Sequence, residues 1–254
     1  MFGFPKNSHK SFKKNFLKRV IYQILYDENE LFQHKKEAIK NLFNEQFPNQ
    51  SIVAPTKVEI SFSQTQTQII NEIKEDDVLE LKSQDGQKVL RINNSSFSLT
   101  INGIAYKDYE SLKNDLKNLK NLLKLLEISE INRVAIRKIN IVEFKLIGNP
   151  SELLQYIINS NLIGNLSYFP SCEKIYNNLQ SLNYRDNENN LNLKYGLNIH
   201  PSKEKGRVII DIDLFKQSTV LSKEIFSLSD EINNEIFNIF NWVLNPKALE
   251  LLDE

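Results

Sequence analysis

The sequence predicts an α+β protein in which a mostly antiparallel sheet is covered by amphipathic helices. Apolar and polar residues alternate over 191–199 and again over 208–214, which is typical of the two strands of a hairpin. A leucine stripe recurs every three or four residues over 108–127, which is typical of a helix with one buried face. The stretch 131–147 is rich in Ile, Val and Phe and contains no Gly or Pro, so it predicts a long central strand.

The alternation within this long run is incomplete. Val134 and Ile136 share one face, Ile139 and Ile141 share the other, and Val142 returns to the first. Two explanations are open: the middle of the strand is covered on both faces, or bulges shift its phase.

The other elements follow from the same two periods. In the first half, the pattern predicts a strand over 16–26, an amphipathic helix over 27–47 that stops at Pro48, a strand over 58–62, a hairpin turning at Asp85-Gly86, and a strand over 97–101. Residues 64–75 are polar, and their pattern predicts neither a helix nor a strand. In the second half, it predicts a short helix capped by Asn149, a possible strand over 179–184, the hairpin, and a helix running from a Ser229 cap to Asn245-Pro246.

A hairpin, a strand and a long helix follow one another over 78–127 and again over 190–244. This order suggests two similar α+β halves that share a core. The expected organisation is a basic arm over 1–15, a first half over 16–148 and a second half over 149–254, joined in one compact unit.

Composition limits the classes of function. Lys+Arg and Asp+Glu both number 32, so the chain as a whole offers no electrostatic case for nucleic acid or a membrane. The exception is 1–26, which holds six cations and no acid. A single cysteine excludes an intramolecular disulfide and suits the cytoplasm. No run is apolar and long enough to predict a membrane span, and no secretory signal is expected.

Three stretches carry a resemblance to a known family. They are Tyr106 to Leu126, RVAIRKIN over 133–140, and EINNEIFNIFNWVLNPKALELL over 231–252. With the order of elements, they resemble a sporadically distributed family of uncharacterised bacterial and archaeal proteins of this length. Lys138 stands where that family commonly places an aromatic residue. The resemblance implies a role in a mobile-element, defence or immunity system, and it brings no catalytic residues with it.

Reactive side chains do not form a recognisable constellation. His9, His34 and His200 lack the spacing of metal ligands, and Cys172 with His200 is a chance combination. Glycine patterns that cradle phosphates or dinucleotides do not occur. We therefore expect no catalytic, metal or cofactor site, and the sequence favours a protein without enzymatic activity.

Asp211 and Asp213 are the most enzyme-like feature, because alternate positions on a strand place both carboxylates on one face, as in metal-dependent nucleases. Hairpin register offers a structural explanation. If Ile199 lies opposite Val208 and Tyr195 opposite Ile212, Lys194 lies opposite Asp213. This register predicts that both aspartates are solvated neighbours of a lysine.

Arg133 and Arg137 share a face of the long strand. There they either hold a phosphate or carboxylate or pair with acids of a neighbouring strand, and pairing with acids is favoured.

Phe2, Phe4 and Phe12 of the arm either stack on bases or dock on the body of the protein, and docking is favoured. The possible nucleic-acid or anion contacts are Lys6, Lys10, Lys13, Lys14, Arg133, Arg137, Lys203, Lys205 and Arg207.

These observations favour a non-catalytic cytosolic binding or regulatory protein with an unidentified protein partner. The alternative is an RNA- or DNA-binding protein with nucleic-acid processing activity. Neither hypothesis involves a cofactor or a membrane.

Overall fold

A computed structural model describes most of the chain. The described residues are 2–6, 12–13, 16–53, 56–62, 67–74, 77–145, 150–163, 175–199 and 205–253; of 56–62 and 67–74 the backbone alone is described. The α+β class predicted from the sequence is confirmed.

The described residues form a nine-stranded antiparallel sheet and a separate two-stranded ribbon. The sheet contains β1 (Leu17–Leu25), β2 (Asn49–Val53), β5 (Val78–Lys82), β6 (Lys88–Ile92), β7 (Ser96–Asn102), β8 (Glu130–Lys145), β9 (Asn177–Asp186), β10 (Asn189–Ile199) and β11 (Lys205–Leu221). Their order is β2-β5-β6-β7-β1-β8-β11-β10-β9. The ribbon pairs β3 (Thr56–Phe62) with β4 (Thr67–Lys74), so the ambiguous stretch holds a strand.

Helices pack on one face of this sheet. They are α1 (Leu31–Phe43), α2 (Tyr109–Asp115), α3 (Leu119–Leu125), α4 (Pro150–Ile157), α5 (Ile225–Val243) and α6 (Pro246–Asp253). Across β1, β8 and β11, neighbouring side chains such as Tyr22, Ile136 and Leu214 point towards the helices and are fully buried. We call this side the helix-covered face and the other side the open face. Within the described residues, no helix combines the length and the apolar character needed to cross a membrane.

The central position predicted for the long strand is confirmed, since β8 pairs with β1 on one side and with β11 on the other. Residues 133–145 pair one for one with 205–217, so this part of β8 keeps a single phase. Of the two explanations left open by the sequence, a bulge that shifts the phase does not occur over this part of the strand. Alternation fails because Lys138 and Asn140 occupy positions on the helix-covered face, while Ile139 and Ile141 lie half-buried on the open face.

The helix predicted over 108–127 is instead two helices, α2 and α3. The Asn118 side chain at the break donates a hydrogen bond to the Leu42 backbone oxygen at 2.9 Å, so a contact with the end of α1 favours the turn. Ser229 does not cap α5, which begins four residues earlier. Its hydroxyl instead bonds the Ile225 oxygen at 2.6 Å inside the helix. The Asn149 cap lies outside the described residues.

The predicted hairpin between β10 and β11 exists, but its register is wrong by two residues. Tyr195 lies opposite Ile210, and Lys194 lies opposite Asp211 rather than Asp213. A shift of two residues keeps every side chain on its original face, so the alternating pattern fits both registers equally well. Pairing of β11 with β8, which places Val208 beside Val142, accompanies the observed register.

Candidate functional site

The arginines and aspartates on the open face pair with one another across strands. Arg137 donates from Nε to Asp211 Oδ1 at 2.8 Å and from Nη2 to Oδ2 at 2.6 Å. Asp213 accepts a hydrogen bond from Asn192 at 3.2 Å and lies 3.8 Å from Arg133. The favoured prediction of arginine–acid pairing is confirmed. Because Asp211 is buried and bonded to an arginine, the prediction that both aspartates are solvated neighbours of a lysine is wrong.

The surroundings of Arg133 are those of a structural residue. Its guanidinium lies 4.1 Å from the centre of the Phe215 ring and donates to the Gln23 side chain. Partial burial lowers the pKa of Arg133, whereas the hydrogen bond to Asp211 raises the pKa of Arg137. Neither arginine offers an uncompensated charge to an anion.

The other predicted nucleic-acid contacts are divided between paired and exposed positions. Arg207 is 3.0 Å from Glu143, so its charge is also compensated. Lys6, Lys13 and Lys205 are exposed. The remaining three, Lys10, Lys14 and Lys203, lie outside the described residues.

The phenylalanines of the arm pack on the body of the protein. Phe2 lies 5.0 Å from Tyr184 on β9, and Phe4 lies 5.0 Å from Trp242 on α5, measured between ring centres. Phe12 lies 5.6 Å from Phe237. Docking of these rings, the favoured interpretation, is confirmed, and their faces are not free for base stacking.

Metal-ligating side chains do not gather in the described part of the chain, where no group of three or more was found. His34 is exposed on α1. His9, Cys172 and His200 lie outside the described residues.

A pocket opens between α5 and the helix-covered face of the sheet, and Lys138 lines it. Lys138 follows Ile136 on the same face of β8, so the strand aims its side chain at α5. There its Nζ donates to Asn233 Oδ1 at 2.7 Å and lies 5.5 Å from the centre of the Tyr106 ring. Asn140, the next residue on this face, is buried and donates to the Ile210 oxygen at 3.3 Å.

Lys138 lacks a counter-ion in the part of the chain that the structure describes. Among those residues, no carboxylate lies within 4 Å of its Nζ. Burial therefore lowers the pKa of Lys138 from 10.5 to about 8. With this pKa the amine is still mostly protonated at neutral pH, but it loses its proton at a lower pH than a solvated lysine does.

Aromatic and aliphatic side chains together supply most of the pocket wall. Phe237 and Phe240 come from α5, Phe12 comes from the arm, and Tyr106 and Tyr109 precede or begin α2. The volume of the pocket is about 180 Å³. Burial raises the pKa of both tyrosines, so they are neutral hydroxyl groups at physiological pH.

The carboxylate that lines the pocket already has a structural task. Asp108 accepts a hydrogen bond from the Ser111 backbone N–H at 2.7 Å and so caps α2. The pocket therefore combines one uncompensated amine, two buried amides and an apolar wall.

The sequence contains a signal for this pocket that periodicity and motif spacing do not reveal. Lys138 and Asn140 interrupt an otherwise apolar face of the most strand-like stretch. A polar pair at core-facing positions predicts either a satisfied buried network or a ligand site.

Comparison of the sequence with models of known protein families gives no match, and no curated protein matches it significantly.

Proposed function

We propose that this chain is a non-catalytic binding or regulatory protein whose ligand occupies the pocket at Lys138. The observation that carries the proposal is a half-buried lysine whose amine faces a cavity and lacks a counter-ion within the described residues. An unpaired charge in an apolar environment lowers stability. Such a group is typical of a site where a ligand completes the electrostatics.

The groups around Lys138 suit holding a ligand better than transforming it. A nucleophilic amine needs a partner that removes its proton, and the two neighbouring tyrosines stay protonated because burial raises their pKa. Asp108 is engaged in capping α2. These features support binding rather than catalysis.

Regulation is supported by the origin of the pocket wall. The arm contributes Phe12, the segment before α2 contributes Tyr106, and β8 and α5 contribute the polar groups. A ligand that contacts all four elements stabilises their mutual arrangement, and an outside partner can detect that arrangement.

The two-halves hypothesis places the pocket at a junction. Lys138 and Tyr106 belong to 16–148, whereas Asn233 belongs to 149–254. In support of that division, β5-β6-β7 and β9-β10-β11 each form a three-stranded meander followed by helices. Ligand sites occur preferentially at such junctions.

The resemblance to the sporadically distributed family supports placing this regulatory role in a mobile-element, defence or immunity system. A cytoplasmic location and a protein partner belong to the same proposal.

The test is whether Lys138 lowers stability, as expected of a group kept for binding. In Lys138→Met, a thioether of similar shape replaces the unpaired amine, and we expect the melting temperature at neutral pH to rise by about 5 °C. Lys88→Met is the matched control. Lys88 also projects from the helix-covered face, but both oxygens of Asp115 lie 2.7 Å from its Nζ, so its removal should lower the melting temperature. Equal losses in the two variants would show that Lys138 is structural and would refute the proposal.

A further inference from the structure

The pocket at Lys138 has a charge, a size and a wall that together limit what it can bind. We propose that its ligand is a small aromatic monocarboxylate, whose carboxylate binds the Lys138 ammonium and whose ring packs among the phenylalanines of α5 and the arm. This inference rests on the proposed function, because it names the ligand class of the same pocket.

The charge argues for a single negative group. An ammonium has three N–H donors, and the described residues provide one hydrogen-bond acceptor for them, Asn233 Oδ1. A carboxylate can accept from the others and neutralise the one unpaired cation. The second cation of the lining, Lys107, is exposed to solvent, so one cation without an ion-pair partner faces the pocket, which matches a monoanion.

The neighbouring amide can complete the contact. Because the Oδ1 atom of Asn233 accepts from Lys138, its Nδ2 group is the donor that remains for the second carboxylate oxygen. Asn233 lies on the buried face of α5, where the sheet holds its helix in place. A carboxylate seated here would therefore meet two donors in a preformed arrangement.

The apolar wall argues for an aromatic body. Phe12 lies 5.6 Å from Phe237 and 6.2 Å from Phe240, in the range of ring–ring contacts, so the pocket borders an existing aromatic cluster. The pocket volume of about 180 Å³ compares with an apolar cavity of about 150 Å³ that accommodates a benzene molecule. One ring with a short acidic substituent fits this space.

The test measures binding of benzoate, phenylacetate and 3-phenylpropionate to the full chain by calorimetry or ligand-observed NMR at pH 7. The corresponding neutral amides serve as matched ligands. We expect at least one acid to bind, and its amide to bind at least about tenfold more weakly, because a charge-assisted hydrogen bond is lost.

Variants locate the interaction. Lys138→Met should weaken binding of the acid at least about tenfold and leave the amide unaffected. Lys194→Met, an exposed lysine on the open face, should leave both unchanged. If Lys138→Met does not fold, Lys138→Gln provides the same comparison, since glutamine keeps a donor for Asn233.

Equal affinity for acid and amide, or full affinity in Lys138→Met, would overturn the inference. Failure of every acid to bind would also overturn it. If Lys138→Met is at the same time more stable than the wild type, the proposed function survives with a different ligand class. If Lys138→Met and Lys88→Met lose stability alike, both proposals fall.

Discussion

Two lysines on the helix-covered face, Lys88 and Lys138, differ in the side chains that their amines contact. Lys88 of β6 reaches a carboxylate, since both oxygens of Asp115 lie 2.7 Å from its Nζ. Lys138 of β8 reaches an amide, Asn233, and an aromatic pocket. The residue type and the face of the sheet are the same. The two lysines differ in their partners: one forms an ion pair and the other does not. Whether a lysine has an ion-pair partner therefore indicates its role better than the presence of the charge does.

The largest expected effect comes from placing a charge on the same face but away from the pocket. Ile136 is fully buried two residues before Lys138 and faces core side chains. Ile136→Asp should cost about 4 kcal/mol or more in the free energy of unfolding, because nothing compensates the buried carboxylate. Solubility and thermal unfolding measure the effect, and Ile139→Asp on the open face is the control that should cost less. A soluble Ile136→Asp protein with an unchanged melting temperature would contradict the burial of this strand in the core.

The second prediction concerns pH. Burial lowers the pKa of Lys138 from 10.5 to about 8, so the folded protein releases this proton before the unfolded chain does. Between these values the unfolded state binds more protons, and the free energy of unfolding therefore rises with pH. Relative to Lys138→Met, the wild type should gain about 2 kcal/mol between pH ~7 and pH ~9.5, at about 1.4 kcal/mol per pH unit above 8.

Urea unfolding of both proteins across this range measures the difference. Tyr106, Tyr109, Lys107 and Asp108 line the same pocket in both proteins, so the comparison isolates the contribution of Lys138. A difference that is flat with pH would show that the Lys138 amine has its ordinary pKa.

The third prediction compares two acids on the open face. Asp211 holds Arg137 through two hydrogen bonds and is buried, whereas Asp213 lies at 3.8 Å from Arg133. Asp211→Ala should cost about 1 kcal/mol and Asp213→Ala less than about 0.5, because the second pair is looser. Denaturant unfolding measures both. If either variant loses ligand binding at the Lys138 pocket while its folding is unchanged, the purely structural role of these aspartates is wrong.

The smallest effect on stability is expected in the arm. Lys6 and Lys13 are exposed, so replacing both with alanine should leave the free energy of unfolding unchanged, whereas Phe12→Ala should lower it through lost ring packing. If the chain binds single-stranded RNA, the double variant should reduce the slope of log affinity against log salt by about 1.4, at roughly 0.7 per phosphate contact. A full-length chain that retains no RNA or DNA at low salt would eliminate the nucleic-acid alternative.

Local sequence predicted the type of most elements. Alternation over 191–199 and 208–214 predicted the strands β10 and β11, and the long apolar run predicted β8, because side chains on a strand must alternate between a covered and an exposed face. The leucine stripe predicted a helical segment in the same way. It did not predict the break between α2 and α3, because Asn118 finds its hydrogen-bond partner on α1, far away in the sequence.

In the regularly alternating strands, the sequence by itself determined which residues face the core, and the tertiary structure decided what those residues meet there. A two-residue slip of the hairpin leaves every face unchanged, so the pairing of Lys194 with Asp211 becomes visible only in the assembled sheet. Likewise, Lys138 was evident as a polar residue in an apolar run, but its lack of a counter-ion among the described residues depends on α5, the arm and the segment before α2. Periodicity is a property of neighbours along the chain, whereas charge compensation is a property of neighbours in space.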